Sequence, residues 1–174
     1  MFRTTIIAAS AAFLAMPALA CDGFSVQDAY ARTSTAMSVS GAAFMVMQNT
    51  GGADCRVVAA RSDIADRTEL HTHIQDANGV MQMRQVDGFD VPAGGEHALQ
   101  RGGDHVMFLG LHGTMEQGAE FPVTLVFADG TEYVATVTVD NERQPMQGMG
   151  MQHGQMQGHG QMQGHGQMQG QAGN

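Results

Sequence analysis

The sequence predicts an all-β domain, an antiparallel sandwich or small barrel, followed by a low-complexity tail. Between Phe24 and Val139 the chain breaks into short runs separated by Gly, Asp and Asn, with no convincing helical stretch. Many short strands at this spacing are the signature of a sandwich or barrel. Beyond Asp140 the pattern stops, and Gln, Gly, Met and His take over.

In chain order, the first twenty residues, MFRTTIIAASAAFLAMPALA, have a cationic start at Arg3, an apolar run from Ile6 to Leu14 and an Ala18-Leu19-Ala20 exit. They read as a secretory signal peptide cleaved after Ala20, which makes the mature chain an exported, soluble protein. A lipoprotein is the competing reading because Cys21 follows the cleavage point, but Leu19 is displaced by one position from where a lipobox needs it. No apolar run approaches the roughly 20 residues a membrane-spanning helix requires.

Strands are expected at Val26 to Ala31, Ala42 to Gln48, Cys55 to Arg61, Thr68 to Ile74, Val80 to Val86, His105 to Leu109, Phe121 to Phe127 and Thr131 to Val139. Turn signals separate them: NTGGAD from Asn49, DANG from Asp76, PAGG from Pro92, RGGD from Arg101 and ADG from Ala128. The last two strands, around Asp129-Gly130, make the clearest hairpin. One domain over residues 21–140 has the usual size for a single core. Residues 141–174 are too poor in apolar bulk to offset the entropy of ordering them, so a disordered tail is expected.

A net charge of −9 with no lysine argues against a nucleic-acid ligand, which needs a basic face, and suits attraction of cations. No nucleophile and base arrangement or phosphate-binding glycine loop is evident, so no enzyme is expected. Cys21 and Cys55 are the two cysteines. In an oxidising compartment a disulfide between them is favoured over a thiolate metal site.

Eight histidines and 15 methionines are many for this length. Leu70 to His73 reads LHTH, Val80 to Met83 reads VMQM, and His105 to Met107 reads HVM. Residues two apart on a strand share a face, so His71 with His73, Met81 with Met83 and His105 with Met107 form same-face pairs. A DANG hairpin would bring the first two pairs together. Met37, Met45 and Met47 have no histidine beside them and are read as packing residues. His97 and His112 are read as ordinary polar histidines, with His112 the better placed to neighbour the site. Thioether and imidazole donors together select Cu(I) over zinc, calcium or magnesium.

His71, eleven residues, Met83, twenty-one residues, then His105-x-Met107 resembles the motif of the periplasmic copper chaperones called PCuAC. The surrounding text from Glu69 to Leu111 is similar to that family too, and the resemblance spans the predicted domain. It implies a cupredoxin-like antiparallel Greek-key sandwich or barrel in the periplasm, with Cu(I) held by His71, Met83, His105 and Met107. It also implies delivery of copper to the apo CuA domain of cytochrome c oxidase subunit II, or to another oxidase assembly factor. Relatives often have methionine where this chain has His73, so His73 is a candidate additional ligand that would favour oxidised copper. Met81 is a candidate reserve ligand.

The tail carries three copies of HGQMQG, with His153, Met156, His159, Met162, His165 and Met168 as candidate ligands. Imidazoles suit Cu(II) and thioethers Cu(I), so this segment is expected to hold either state and to supply the main site. Copper sequestration for resistance is the alternative function. An electron-transfer cupredoxin is disfavoured, because a blue-copper site needs a Cys ligand beside its histidines. A monomer is expected, with a metal-bridged dimer as the alternative.

Overall fold

The computed structural model describes residues 21–144. The signal-peptide reading, its cleavage site and the six tail ligands lie outside these residues. Ten strands form: β1 (Phe24–Arg32), β2 (Ser40–Asn49), β3 (Cys55–Arg61), β4 (Ala65–Gln75), β5 (Met81–Gln85), β6 (Phe89–Val91), β7 (Gly95–Leu99), β8 (His105–Leu111), β9 (Glu120–Phe127) and β10 (Glu132–Val139). The described residues contain no helix, and the fold is the all-β, cupredoxin-like one.

The strands hydrogen-bond in the order β5-β4-β8-β2-β1-β10-β9-β3-β6, with β7 paired to β2 off that path. All pairs are antiparallel except β1 with β10, where Tyr30 lies opposite Thr138 and Ala31 opposite Val139 in a parallel ladder. The sheet is therefore mixed, not purely antiparallel. The reason is topological: these strands come from opposite ends of the domain, and no hairpin dictates their relative direction.

Alternation drives burial as expected for strands with one face on a core. On β8, Val106 and Phe108 are wholly buried. They meet Met45 and Met47 of β2, Val57 of β3 and Leu125 of β9 in one cluster. Met45 and Met47 are thus packing residues, whereas Met37 is 91% exposed and packs into no core. It sits in the loop between β1 and β2, beyond the reach of the strand pattern.

β6 and β7 fall where only the PAGG turn was expected. Phe89 and Val91 do alternate inward around Asp90, but three residues are too short a run to separate from turn text by pattern alone. Cys21 and Cys55 are joined by a disulfide with Cα atoms 5.4 Å apart. At the other end the chain remains tied to the domain past Asp140. The Asn141 side chain accepts from the Thr33 backbone N–H and donates to the Met115 carbonyl, and Arg143 pairs with Asp28.

The β4–β5 hairpin forms around the DANG turn, with Gln75 opposite Met81 and His73 opposite Met83. The Asp76 carboxylate organises the turn. Oδ1 accepts the backbone N–H groups of Asn78 and Val80, both at 2.9 Å, and Oδ2 accepts from Gln82. Gly79 closes it with φ at 82°, a conformation that costs glycine little.

Candidate metal centre

Because Leu70, Val106 and Phe108 take the core face of β4 and β8, the period of two sends His71, His73, His105 and Met107 to the opposite face. Register then decides which of them meet. His71 lies opposite His105 across the β4–β8 ladder, and Glu69 opposite Met107. On the other side of β4, His73 faces Met83. The His105 ring lies 5.8 Å from that of His71 and 5.1 Å from that of His73, between centroids. His105 Nε2 is 3.3 Å from the Met83 sulfur.

His73, Met83, His105 and Met107 line one open pocket of about 390 Å³, together with Phe44. His71 flanks His105 without lining that pocket, and Met81 stands at the hairpin end, 54% exposed. His105 itself is 2% exposed, and Met83 covers it while remaining 48% exposed. The arrangement is a buried imidazole beneath an accessible thioether.

Each of the three imidazoles has one nitrogen held by an oxygen acceptor. The Gly103 carbonyl accepts from His105 Nδ1 at 3.0 Å and from His73 Nδ1 at 3.2 Å. These bonds assign both Nε2 atoms as lone-pair donors. His71 Nε2 donates to Glu69 Oε2 at 2.9 Å, which leaves its Nδ1 as the lone pair. That Nδ1 is buried with no hydrogen-bond partner, a costly state for a polar atom unless something else binds it. An imidazole with one nitrogen oriented by an oxygen and the other free is the usual dress of a metal-binding histidine.

His105 titrates below the ordinary imidazole range, chiefly because burial penalises its charged form, with the neighbouring His73 and His71 adding to the effect. It is therefore neutral, and able to donate a lone pair, at a pH where a free imidazole is partly protonated. Among the described residues, no three His, Cys, Asp or Glu side chains are grouped so as to hold a metal by themselves. Met83 and Met107 add two thioethers to the imidazoles lining this pocket, a donor mix suited to soft ions.

The remaining two histidines are ordinary polar residues as expected, but their order of approach to the site is reversed. His112 lies past the far end of β8 from His105, bonded to Asp66 and the Asp63 carbonyl, contacts that raise its pKa. It does not neighbour the site. His97 is nearer, bonded at 2.8 Å to Asp104, the residue before His105, and stacked on Phe89. An extended strand carries Leu111 and His112 away from His105 at about 3.3 Å per residue, whereas His97 returns to bond Asp104. The Gly103 carbonyl and Glu69 escaped the sequence reading altogether. A backbone acceptor has no residue-type signal, and Glu69 was passed over as part of the text around the motif.

Fold and site together define a class: a cupredoxin-like domain with a mixed imidazole and thioether cluster at the edge of its sheet. The chain belongs to the LpqE-like family, whose model, described as "Putative lipoprotein LpqE-like", matches residues 24–139. A relative from Leifsonia xyli subsp. xyli (strain CTCB07), "Putative lipoprotein Lxx21020", is 36% identical over 124 residues, covering 71% of this chain and 73% of that protein. The solution structure of CuI-DR1885 from Deinococcus radiodurans is similar at 29% identity and a TM-score of 0.52, over 67% of this chain and 79% of that one. The copper-bound PCuAC domain from PmoF2 shares the fold at 17% identity and a TM-score of 0.57, over 70% of this chain and 96% of that domain.

Proposed function

We propose that this protein is a periplasmic copper chaperone that carries Cu(I) on His71, Met83, His105 and Met107 and hands it to the CuA centre of cytochrome c oxidase or a related oxidase. The observation that carries the reading is the approach of His105 Nε2 to the Met83 sulfur at 3.3 Å, with the imidazole oriented from behind by the Gly103 carbonyl. A related protein of known structure, DR1885, is described with Cu(I).

Two neutral imidazoles and two thioethers leave the ion its single positive charge. That ligand set binds a soft monovalent ion and yields it to a site offering thiolates. The process is ligand exchange, with no bond of a substrate made or broken, so the protein acts as a carrier and not as an enzyme. His73, which shares the pocket, is an additional donor able to serve Cu(II), and Met81, exposed at the hairpin end, is a reserve thioether. His153, Met156, His159, Met162, His165 and Met168 of the tail bind further copper and supply the domain.

Export fits the family's lipoprotein names. The Cys21 sulfur is engaged by Cys55, however, and a sulfur in a disulfide is not available for a lipid thioether. Intact mass of the mature protein distinguishes the two fates.

The carrier reading is tested by transfer of Cu(I) to an apo CuA domain. Met83→Ala and His105→Ala should each abolish it, while removal of residues 145–174 should leave it in place. Transfer that survives both substitutions but fails on truncation would identify the repeats as the working site and favour sequestration.

A further inference from the structure

In an acidic chain with eight basic and 17 acidic residues, the pocket at the candidate metal centre is lined, among the described residues, by two arginines, Arg32 and Arg101, and by no carboxylate. Four other arginines have carboxylate partners: Arg56 with Asp90, Arg61 with Glu132, Arg67 with Glu69 and Arg143 with Asp28. Arg32 and Arg101 both turn instead to one backbone oxygen, the Arg143 carbonyl, each at 3.5 Å. Two like charges gathered on one weakly held acceptor retain most of their capacity to bind an anion.

The surrounding rim is built, not loose. Thr33, next to Arg32, is 7% exposed, and its backbone N–H is held by Asn141. Ser34 and Ser40 add hydroxyls to the same wall. Arg32 and Arg101 thus share the pocket lining with Met83 and Met107.

Resting on the carrier reading above, we infer that this mouth selects its copper-exchange partner by charge: the acceptor presents carboxylates on the face that reaches the metal. The ion passes as Cu(I) from one ligand set to another with no change of oxidation state. The arginines do not bind it. They draw the acceptor's anionic groups to the pocket and hold them while ligands exchange, which raises the rate of productive encounter.

The test uses full-length protein loaded with one equivalent of Cu(I) and two small acceptors, bicinchoninate, which carries carboxylates, and 2,9-dimethyl-1,10-phenanthroline, which is uncharged. Arg32→Gln with Arg101→Gln should slow transfer to bicinchoninate about tenfold at low salt and leave transfer to the phenanthroline within about twofold. Added salt should erase the difference between wild type and variant. Arg84→Gln, an exposed position outside the pocket, should change neither rate. If the double variant does not fold, each single substitution should still slow bicinchoninate selectively, by about threefold. A chain that loads Cu(I) normally but whose two rates respond alike overturns charge selection and leaves the carrier reading standing. A wild-type chain that takes up no Cu(I) overturns both.

Discussion

His105 Nε2 and the Met83 sulfur lie 3.3 Å apart, although their strands are not neighbours: β4 runs between β5 and β8. Met83 reaches across β4 and roofs the buried imidazole, so the same thioether is both ligand candidate and lid. Met83→Ala should lower Cu(I) affinity at least about tenfold, which corresponds to about 1.4 kcal/mol. Because Met83 is 48% exposed, the variant should lose less than about 1 kcal/mol of folding stability. Competition against a chromogenic Cu(I) chelator and thermal melting of the copper-free protein read the two effects separately.

Glu69 and His71 form a mostly buried pair, with side chains 16% and 14% exposed. Glu69→Ala should reduce Cu(I) affinity by about 10- to 100-fold, the usual effect of losing a group that orients a metal-binding histidine. Glu69→Gln keeps an oxygen acceptor for the Nε2 proton and should retain most of the affinity. Nitrogen chemical shifts of His71 in copper-free protein report the tautomer. An unchanged tautomer in Glu69→Ala would show that the carboxylate does not position the ring.

His73 shares the Gly103 carbonyl with His105 and adds a nitrogen donor to a pocket otherwise rich in sulfur. His73→Met should hold Cu(I) within a few-fold of wild type while losing Cu(II) binding, since imidazole suits the oxidised ion better than thioether does. Paramagnetic resonance of a Cu(II) titration, carried out on the chain ending at residue 144, reads this without a contribution from the repeats.

Asp76 ties down the hairpin that carries Met83. Its pKa is lowered, first by the backbone hydrogen bond from Val80, then by that from Asn78. A carboxyl whose folded pKa lies below its unfolded value contributes stability that is present above the unfolded value and lost as pH falls through the folded one. Asp76→Ala should therefore speed amide exchange in β5 at neutral pH while leaving β9 protected. Wild-type and variant exchange should converge as pH drops below the ordinary carboxylate range.

The disulfide closes a loop with a sequence separation of 34 residues. Replacing Cys21 and Cys55 by serine should cost about 2–4 kcal/mol of stability, by the chain-entropy account of cross-links. Cu(I) affinity should be unchanged, because β3 carries none of the proposed ligands. Denaturant unfolding and chelator competition on the same preparation check both statements.

Much of the candidate site's geometry was legible because strand periodicity is a local property. LHTH, VMQM and HVM each announce two donors on one face, and the DANG turn joins the first two segments. β9 and β10 were equally plain, with Asp129 and Gly130 making the turn that their pairing requires. β6 was hidden in three residues beside a proline, and the parallel β1–β10 ladder had no local signal at all. His97 and His112 stand at nearly equal spacing from His105, so only the fold places His97 beside Asp104 and His112 beside Asp66.

The sequence by itself therefore determined which side chains share a face: His71 with His73, Met81 with Met83, His105 with Met107. Tertiary structure decided the rest: that β4 stands between β5 and β8, that His71 falls opposite His105, and that one Gly103 carbonyl orients two rings. It also brought Arg32 and Arg101 to the same pocket, both bonded to the Arg143 carbonyl. Faces follow from the pleat of a single strand, whereas register and strand order follow from how distant apolar residues such as Leu70, Val106 and Phe108 fill one core.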